Sequence, residues 1–185
     1  MGKYQIIYAD PPWKYGSKSA VNNSTGNEIK KLSEHYPSMT TEDICDLDVR
    51  NITEEDACCF LWFTSSFGEE SYKVMRAWGF KPITIINVWE KVTNKGNTCK
   101  NVGPWSMGSY EFILYGTKGR MMKYKKATID QKLVAERFGH SVKPEKAKIN
   151  IETLFPSLSK IELFAREKSK GWDVWGNEVE SDINL

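Results

Sequence analysis

Residues 5–13 read Gln-Ile-Ile-Tyr-Ala-Asp-Pro-Pro-Trp. The first five are rich in β-branched and aromatic side chains and predict a short strand over 5–9, ended by prolines that cannot donate to a ladder. Strands are also expected at 57–64, 83–90, 110–115, 133–135 and 161–165. Several are apolar almost throughout, the pattern of strands buried on both faces in a mainly parallel sheet covered by helices. Helical signals fall between them at 41–47, 67–78 and 144–155; in the last, Ala147, Ile151, Leu154 and Phe155 keep one apolar stripe behind Pro144. The alternation predicts a three-layer α/β fold. Ligands of such folds bind beyond the carboxyl ends of the strands, where Asp10 stands.

The tetrapeptide Asp10-Pro11-Pro12-Trp13 suits one kind of chemistry. Each proline fixes its own φ and restricts the residue before it, so the Asp10 carboxylate and the Pro11 carbonyl can be held as two rigid acceptors. Two converging acceptors fit an amino group. The exocyclic nitrogen of adenine is a poor nucleophile, and accepting both of its hydrogens favours a geometry that aims its lone pair at an electrophile. Trp13 is expected to offer the base a stacking surface.

At 185 residues, with 40% apolar and 27% charged side chains, the chain is sized for a single domain, 1–185, and is not a disordered tail. No apolar run approaches the roughly 20 residues of a bilayer span, and no leader pattern opens the sequence, so an intracellular protein without membrane contact is expected. Cys45, Cys58, Cys59 and Cys99 lack paired metal-ligand spacing, and with His35 and His140 they predict no metal site. Cys58 and Cys59 read as core.

The net charge of +2 hides an asymmetry: residues 91–126 hold eight Lys or Arg against the single acid Glu111. A basic segment on an acidic body is the footprint of phosphate binding. Trp105, Met121, Met122 and Tyr124 are interleaved with the cations and are candidates to stack on bases. Two long polar segments, 14–34 and 91–109, follow strand ends and read as substrate- or cofactor-gating loops.

Beyond the tetrapeptide, the chain carries His35-Tyr36-Pro37 with Met39, Phe60-Leu61-Trp62, Trp78-Gly79-Phe80, Trp89-Glu90-Lys91, and Glu111 with Gly116 and Gly119. Further on come His140-Ser141 with Lys143-Pro144, Ile161-Glu162-Leu163-Phe164-Ala165-Arg166, and Gly171-Trp172-Asp173 with Trp175-Gly176-Asn177-Glu178. These blocks, in this order, resemble the MT-A70 family of S-adenosylmethionine-dependent adenine-N6 methyltransferases nearly end to end.

The resemblance implies a Rossmann-like methyltransferase fold with permuted motif order, catalytic motif first and cofactor strand last. It implies catalytic roles for Asp10, Pro11, Pro12 and Trp13, and places Tyr36 near the adenosine. Lys143 matches the lysine that pairs with the methionine carboxylate of S-adenosylmethionine, with Ser141 its neighbour. Phe164 and Arg166 match the strand end that borders the cofactor, and Asn177 and Glu178 the positions that reach its ribose and adenine. Lys168-Ser169 stands where eukaryotic RNA-modifying members have His-Asn, which assigns Lys168 a ribose contact. Asp10, beside a cationic cofactor, is expected to stay ionised. No Gly-rich nucleotide loop is present, as is normal for this family.

The function expected is N6 methylation of adenine in nucleic acid, DNA favoured over RNA by analogy with prokaryotic and phage members, in the cytoplasm of a bacterium or phage-infected host. Trp105, Lys118, Arg120, Lys123, Lys125 and Lys126 are the expected polymer contacts. RNA methylation and a catalytically silent nucleic-acid-binding subunit are the alternatives, cytosine-N4 or protein-amide methylation a further one. Monomer and homodimer both remain open.

Overall fold

The computed structural model describes residues 4–15, 38–103, 105–137 and 142–185. Tyr36, Ser141 and nearly all of the segment 14–34 lie outside the described residues. The strands are β1 Tyr4–Ala9, β2 Thr53–Phe63, β3 Lys81–Val92, β4 Tyr110–Lys118, β5 Lys132–Glu136, β6 Lys160–Leu163 and β7 Asp173–Trp175. The helices are α1 Thr41–Cys45, α2 Val49–Ile52, α3 Gly68–Ala77 and α4 Lys146–Leu154.

Among the described residues, seven strands form one sheet in the order β5-β3-β4-β2-β1-β6-β7. β1 pairs in parallel with β2 on one side and β6 on the other, which is why it tolerates no polar face. Alternation along the strands builds two cores. Ile7, Ala9, Cys59 and Leu61 face one side and meet Ile44 of α1, Val49 of α2, and Val74 and Met75 of α3. Ile6, Tyr8, Cys58, Phe60 and Trp62 face the other and meet Ala147, Ile151 and Leu154 of α4. The three-layer, Rossmann-like α/β architecture is therefore present, with each fully buried large apolar side chain contributing about 1.5–3 kcal/mol.

Local chemistry sets the helix ends. Thr40 and Asp43 cap α1 reciprocally, each side chain accepting the other's backbone N–H at 3.1 Å. The last turn of α3 is followed by Gly79 at φ +87°, a left-handed conformation that glycine adopts without strain.

One strand runs against the rest: β4 is antiparallel to both β2 and β3. Its beginning, Tyr110 and Glu111, therefore reaches the edge where β1, β2, β3, β6 and β7 end. Its far end, Lys118, pairs with Ala57 near the start of β2, about 27 Å away along the nine-residue strand.

Except for β6, the strands are longer than local composition predicts. β2 begins at Thr53 because its polar start Thr-Glu-Glu-Asp is drawn into the ladder beside Tyr4. β6 stops at Leu163 rather than Ala165, since Phe164 turns to φ +63°. β7, α2 and the 3-10 turns Ser65–Phe67 and Met121–Tyr124 are too short to leave a periodicity. The segment 91–109 is a partly ladder-bonded excursion rather than an irregular loop: Val92 bridges Thr98, and Asn101 bridges Gly108.

Candidate active site

The chain leaves β1 at Ala9 and folds sharply. Trp13 N donates to the Pro11 carbonyl at 2.9 Å, and the Pro12 carbonyl accepts Met39 N at 2.8 Å. Lys14 N then returns a bond to Met39 O at 3.0 Å, so the tetrapeptide is stitched to the chain just ahead of α1. The Pro11 carbonyl keeps its second lone pair.

Trp13 corrects one expectation. The residue is 8% exposed, and its ring stacks on Phe67 at 5.2 Å and donates Nε1–H to Trp62 O at 3.1 Å. The indole anchors the turn to β2 and has no open face for a base, because the apolar wall behind it takes up that surface.

Asp10 belongs to a row of alternating charges. Lys143 Nζ lies 2.6 Å from Asp10 Oδ2 and 3.3 Å from Glu111 Oε2, and Lys91 Nζ lies 2.5 Å from Glu111 Oε1. Each ammonium also sits over an indole, Lys143 over Trp62 at 5.4 Å and Lys91 over Trp89 at 5.1 Å. Trp62 is held in turn by its Nε1–H bond to the buried Tyr8 hydroxyl at 2.7 Å. Among the described residues, Asp10 Oδ1 accepts no side-chain bond and stays available as an acceptor.

The electrostatics follow from burial against pairing. Burial raises the Asp10 carboxyl above its ordinary range, and the Lys143 ammonium offsets this only in part. Burial acts in the same direction on Glu111, yet Lys143 and Lys91 together hold it below its ordinary value. Lys143 is raised, because Asp10 and Glu111 outweigh the desolvation of its ammonium. Glu111 and Lys91 were absent from the site expected from sequence. The available signal was Glu111's standing as the lone acid in a basic stretch.

The residues expected to face a cofactor cluster beside Asp10 at the ends of β6 and β7. Phe164 follows Leu163, the partner of Ala9, and packs edge-on against Trp175 at 5.4 Å. Its φ of +63° is uncommon for a bulky residue and marks a conformation held by the surroundings. Arg166 Nε lies 3.6 Å from Glu178 Oε1. Gly176, just before Asn177 and Glu178, lies so close to the Ala165 carbonyl that a Cβ would collide with it. Lys168 is engaged by Asp182 at 3.1 Å, and that carboxylate also accepts Val174 N at 2.9 Å.

The expected polymer contacts split in two. Trp105, in the excursion between β3 and β4, is 97% exposed and belongs to the same sheet edge as Asp10. Lys118, Arg120, Lys123, Lys125 and Lys126 gather at the opposite edge, so the structure does not bring them to the corner. There Lys118 Nζ donates to Thr53 Oγ1 at 3.1 Å, and Asp56 takes Lys123 Nζ at 2.5 Å and Arg120 N at 2.6 Å. Lys125 Nζ donates to Thr128 Oγ1 at 3.3 Å, and Lys126 N to Leu154 O at 2.9 Å. A cleft of about 460 Å³ at this edge includes Glu54, Glu55 and Asp56 in its lining, a poor match for phosphate. Met121, expected to be free for stacking, is buried under Phe60 and its neighbours instead.

Against this geometry, the model of the MT-A70 family matches residues 4–178 of the chain. The chain belongs to the MT-A70 family. It is 37% identical over 188 residues to a type II methyltransferase, M.MunI, from a Mycoplasma species, covering 96% of this chain and 78% of that protein. It is 26% identical over 184 residues to the human N(6)-adenosine-methyltransferase catalytic subunit METTL3, and 27% over 183 residues to an Arabidopsis thaliana N(6)-adenosine-methyltransferase, MT-A70-like. Each of these two alignments covers 97% of this chain, but it spans only 29% and 24% of those longer proteins. The MT-A70 fold and the charged corner thus belong to a methyltransferase, and no helix among the described residues is long and apolar enough to cross a membrane.

Proposed function

We propose that this MT-A70 methyltransferase methylates the N6 amino group of adenine in DNA, with S-adenosylmethionine as methyl donor. The observation that carries the reading is the Asp10–Pro11 corner: a carboxylate held by Lys143 through Oδ2, with no side-chain donor on Oδ1 among the described residues, beside a carbonyl with a spare lone pair, at the carboxyl edge of the central strand. DNA is favoured because M.MunI, a type II methyltransferase, is 37% identical along most of its length, whereas the matched portion of the RNA-type relatives is under a third of each.

The donor set fits the cofactor. Lys143 has three ammonium hydrogens and uses two on Asp10 and Glu111, which leaves one for the methionine carboxylate. Phe164, Arg166, Asn177 and Glu178 border the ribose and adenine side, and Lys168 reaches a ribose hydroxyl only by sharing its ammonium with Asp182. The family resemblance adds Ser141 on the cofactor side and Tyr36 near the adenosine; both lie outside the described residues. When bound, S-adenosylmethionine supplies an electrophilic methyl on a sulfonium.

The chain's own residues prepare the nucleophile. Asp10 and the Pro11 carbonyl accept the two amino hydrogens, which turns the nitrogen lone pair outward and fixes its direction. Pro12 and Trp13 keep those acceptors rigid. The base must leave its stack to reach them, and the exposed Trp105 excursion contacts the nucleic acid around it.

The test is methyl transfer from labelled S-adenosylmethionine to single- and double-stranded DNA and RNA, with the product nucleoside identified by mass spectrometry. N6-methyladenosine confined to RNA would move the substrate to the RNA class, and N4-methylcytosine would replace adenine. Asp10→Ala is expected to lose transfer by orders of magnitude while still binding the cofactor; near-normal turnover in that variant sinks the assignment.

A further inference from the structure

The burial of Trp13 leaves the acceptor corner without the aromatic plane that the tetrapeptide suggested. Two residues on, Tyr15 spans the rim of that corner. Its hydroxyl is 3.1 Å from Thr64 Oγ1, and its ring meets Phe67 edge-on at 4.7 Å. Thr64 follows Phe63, whose partner across the ladder is Phe112, so the phenol end is tied down next to Glu111. The backbone end is tied down by the Lys14–Met39 and Trp13–Met39 pairings. A ring fixed at both ends would ordinarily be packed away, yet Tyr15 is 57% exposed. Burial raises its hydroxyl pKa, and the charges of Glu111, Lys143 and Asp10 act on it, consistent with a phenol beside the charged row.

We propose that Tyr15 is a substrate-contacting residue whose exposed face stacks on the base that Asp10 and Pro11 hold. The proposal rests on the methyl-transfer reading above. Phe67 performs two tasks here: it backs the buried Trp13 face and props the Tyr15 edge, so one side chain sets the angle between the acceptors and the stacking plane. Because the ring is ordered before a base arrives, little side-chain entropy is lost on stacking.

The experiment uses the full chain and a DNA duplex carrying the site that sequencing of the wild-type product identifies. Three variants separate the roles: Tyr15→Phe keeps the ring without the hydroxyl, Tyr15→Leu keeps an apolar cover over Phe67 without a π face, and Tyr15→Ala removes both. Tyr15→Leu and Tyr15→Ala are expected to raise KM for the duplex about tenfold, in line with the loss of one base–aromatic stack. Cofactor Kd, from calorimetry with S-adenosylmethionine alone, is expected to stay at the wild-type value in all three, and Tyr15→Phe, which keeps the π face but loses the tie to Thr64, is expected to raise duplex KM less than Tyr15→Leu does. A Tyr15→Leu enzyme with wild-type duplex KM makes the residue a mere cover and overturns the proposal. So does a loss of cofactor affinity equal to the rise in duplex KM. A wild-type enzyme that transfers no methyl to any nucleic acid defeats the functional reading itself and this proposal with it.

Discussion

The ammonium of Lys143 stands 2.6 Å from Oδ2 of Asp10, joining residues 133 positions apart in the chain. The lysine matched to the cofactor's carboxylate is thus also the counterion of the aspartate matched to the target amino group. On the proposed assignment, cofactor binding and the charge state of Asp10 are linked through this one side chain, which Glu111 holds from the other direction at 3.3 Å.

Removing the cation tests the linkage. Lys143→Met leaves Asp10 and Glu111 as neighbouring buried carboxylates, and breaking such a cluster costs about 3 kcal/mol near neutral pH by urea denaturation. In the native protein Glu111 is depressed, so its contribution is present above the ordinary glutamate pKa and is lost as pH falls through its folded value. In the variant Asp10 loses its counterion and is raised further while Glu111 keeps only Lys91, and acidification should recover stability instead. A deficit independent of pH would mean that the lost contacts were apolar rather than ionic.

Activity should have an acid limb set by Asp10. Burial raises this carboxyl, so kcat/KM is expected to fall on the acid side at a pH above the ordinary aspartate value of about 4. Asp10→Glu, if it retains measurable turnover, should shift that limb. A profile flat well below pH 4 would show that Asp10 is not the group that must be ionised.

Gly176→Ala probes the cofactor side. The added Cβ meets the Ala165 carbonyl, and the backbone has to move, carrying the Asn177–Glu178 turn with it. Calorimetry is expected to show S-adenosylmethionine affinity down by tenfold or more, while far-ultraviolet circular dichroism stays native. Unchanged affinity would remove this turn from the cofactor site.

Salt dependence separates the two basic regions. Each lost phosphate contact lowers the slope of log K against log salt by about 0.9 on duplex DNA. Lys95→Gln with Lys100→Gln, in the excursion that bears Trp105, should lower it by nearly two. Lys123→Gln, Lys125→Gln and Lys126→Gln should leave it unchanged, because that edge is lined with acids and Lys123 is committed to Asp56. The reverse pattern would place the polymer across the far edge of the sheet.

Much of the fold is legible in the sequence. β1 announced itself because a strand buried on both faces needs no polar residue, and the prolines after it mark its end for a local reason. Lys143 and Phe164 were reached through the family resemblance alone, since nothing in their neighbours' composition distinguishes them. Glu111 and Lys91 escaped because a charged residue's role depends on what faces it. The burial of Trp13 is hidden for the same cause: an indole reads identically in sequence whether its face meets Phe67 or solvent. β7 is three residues long, below the length at which alternation can be seen.

The amino-acid order by itself determined which residue types bear the chemistry and that Asp10 closes a central, doubly covered strand, because propensity, proline geometry and apolar patterning act between near neighbours. Tertiary structure alone decided which of those residues meet. The reversal of β4 carried Glu111 to the edge that bears Asp10 and the Lys118–Lys126 cations to the other, since strand direction and ladder register are set by pairing between distant segments that local composition does not encode.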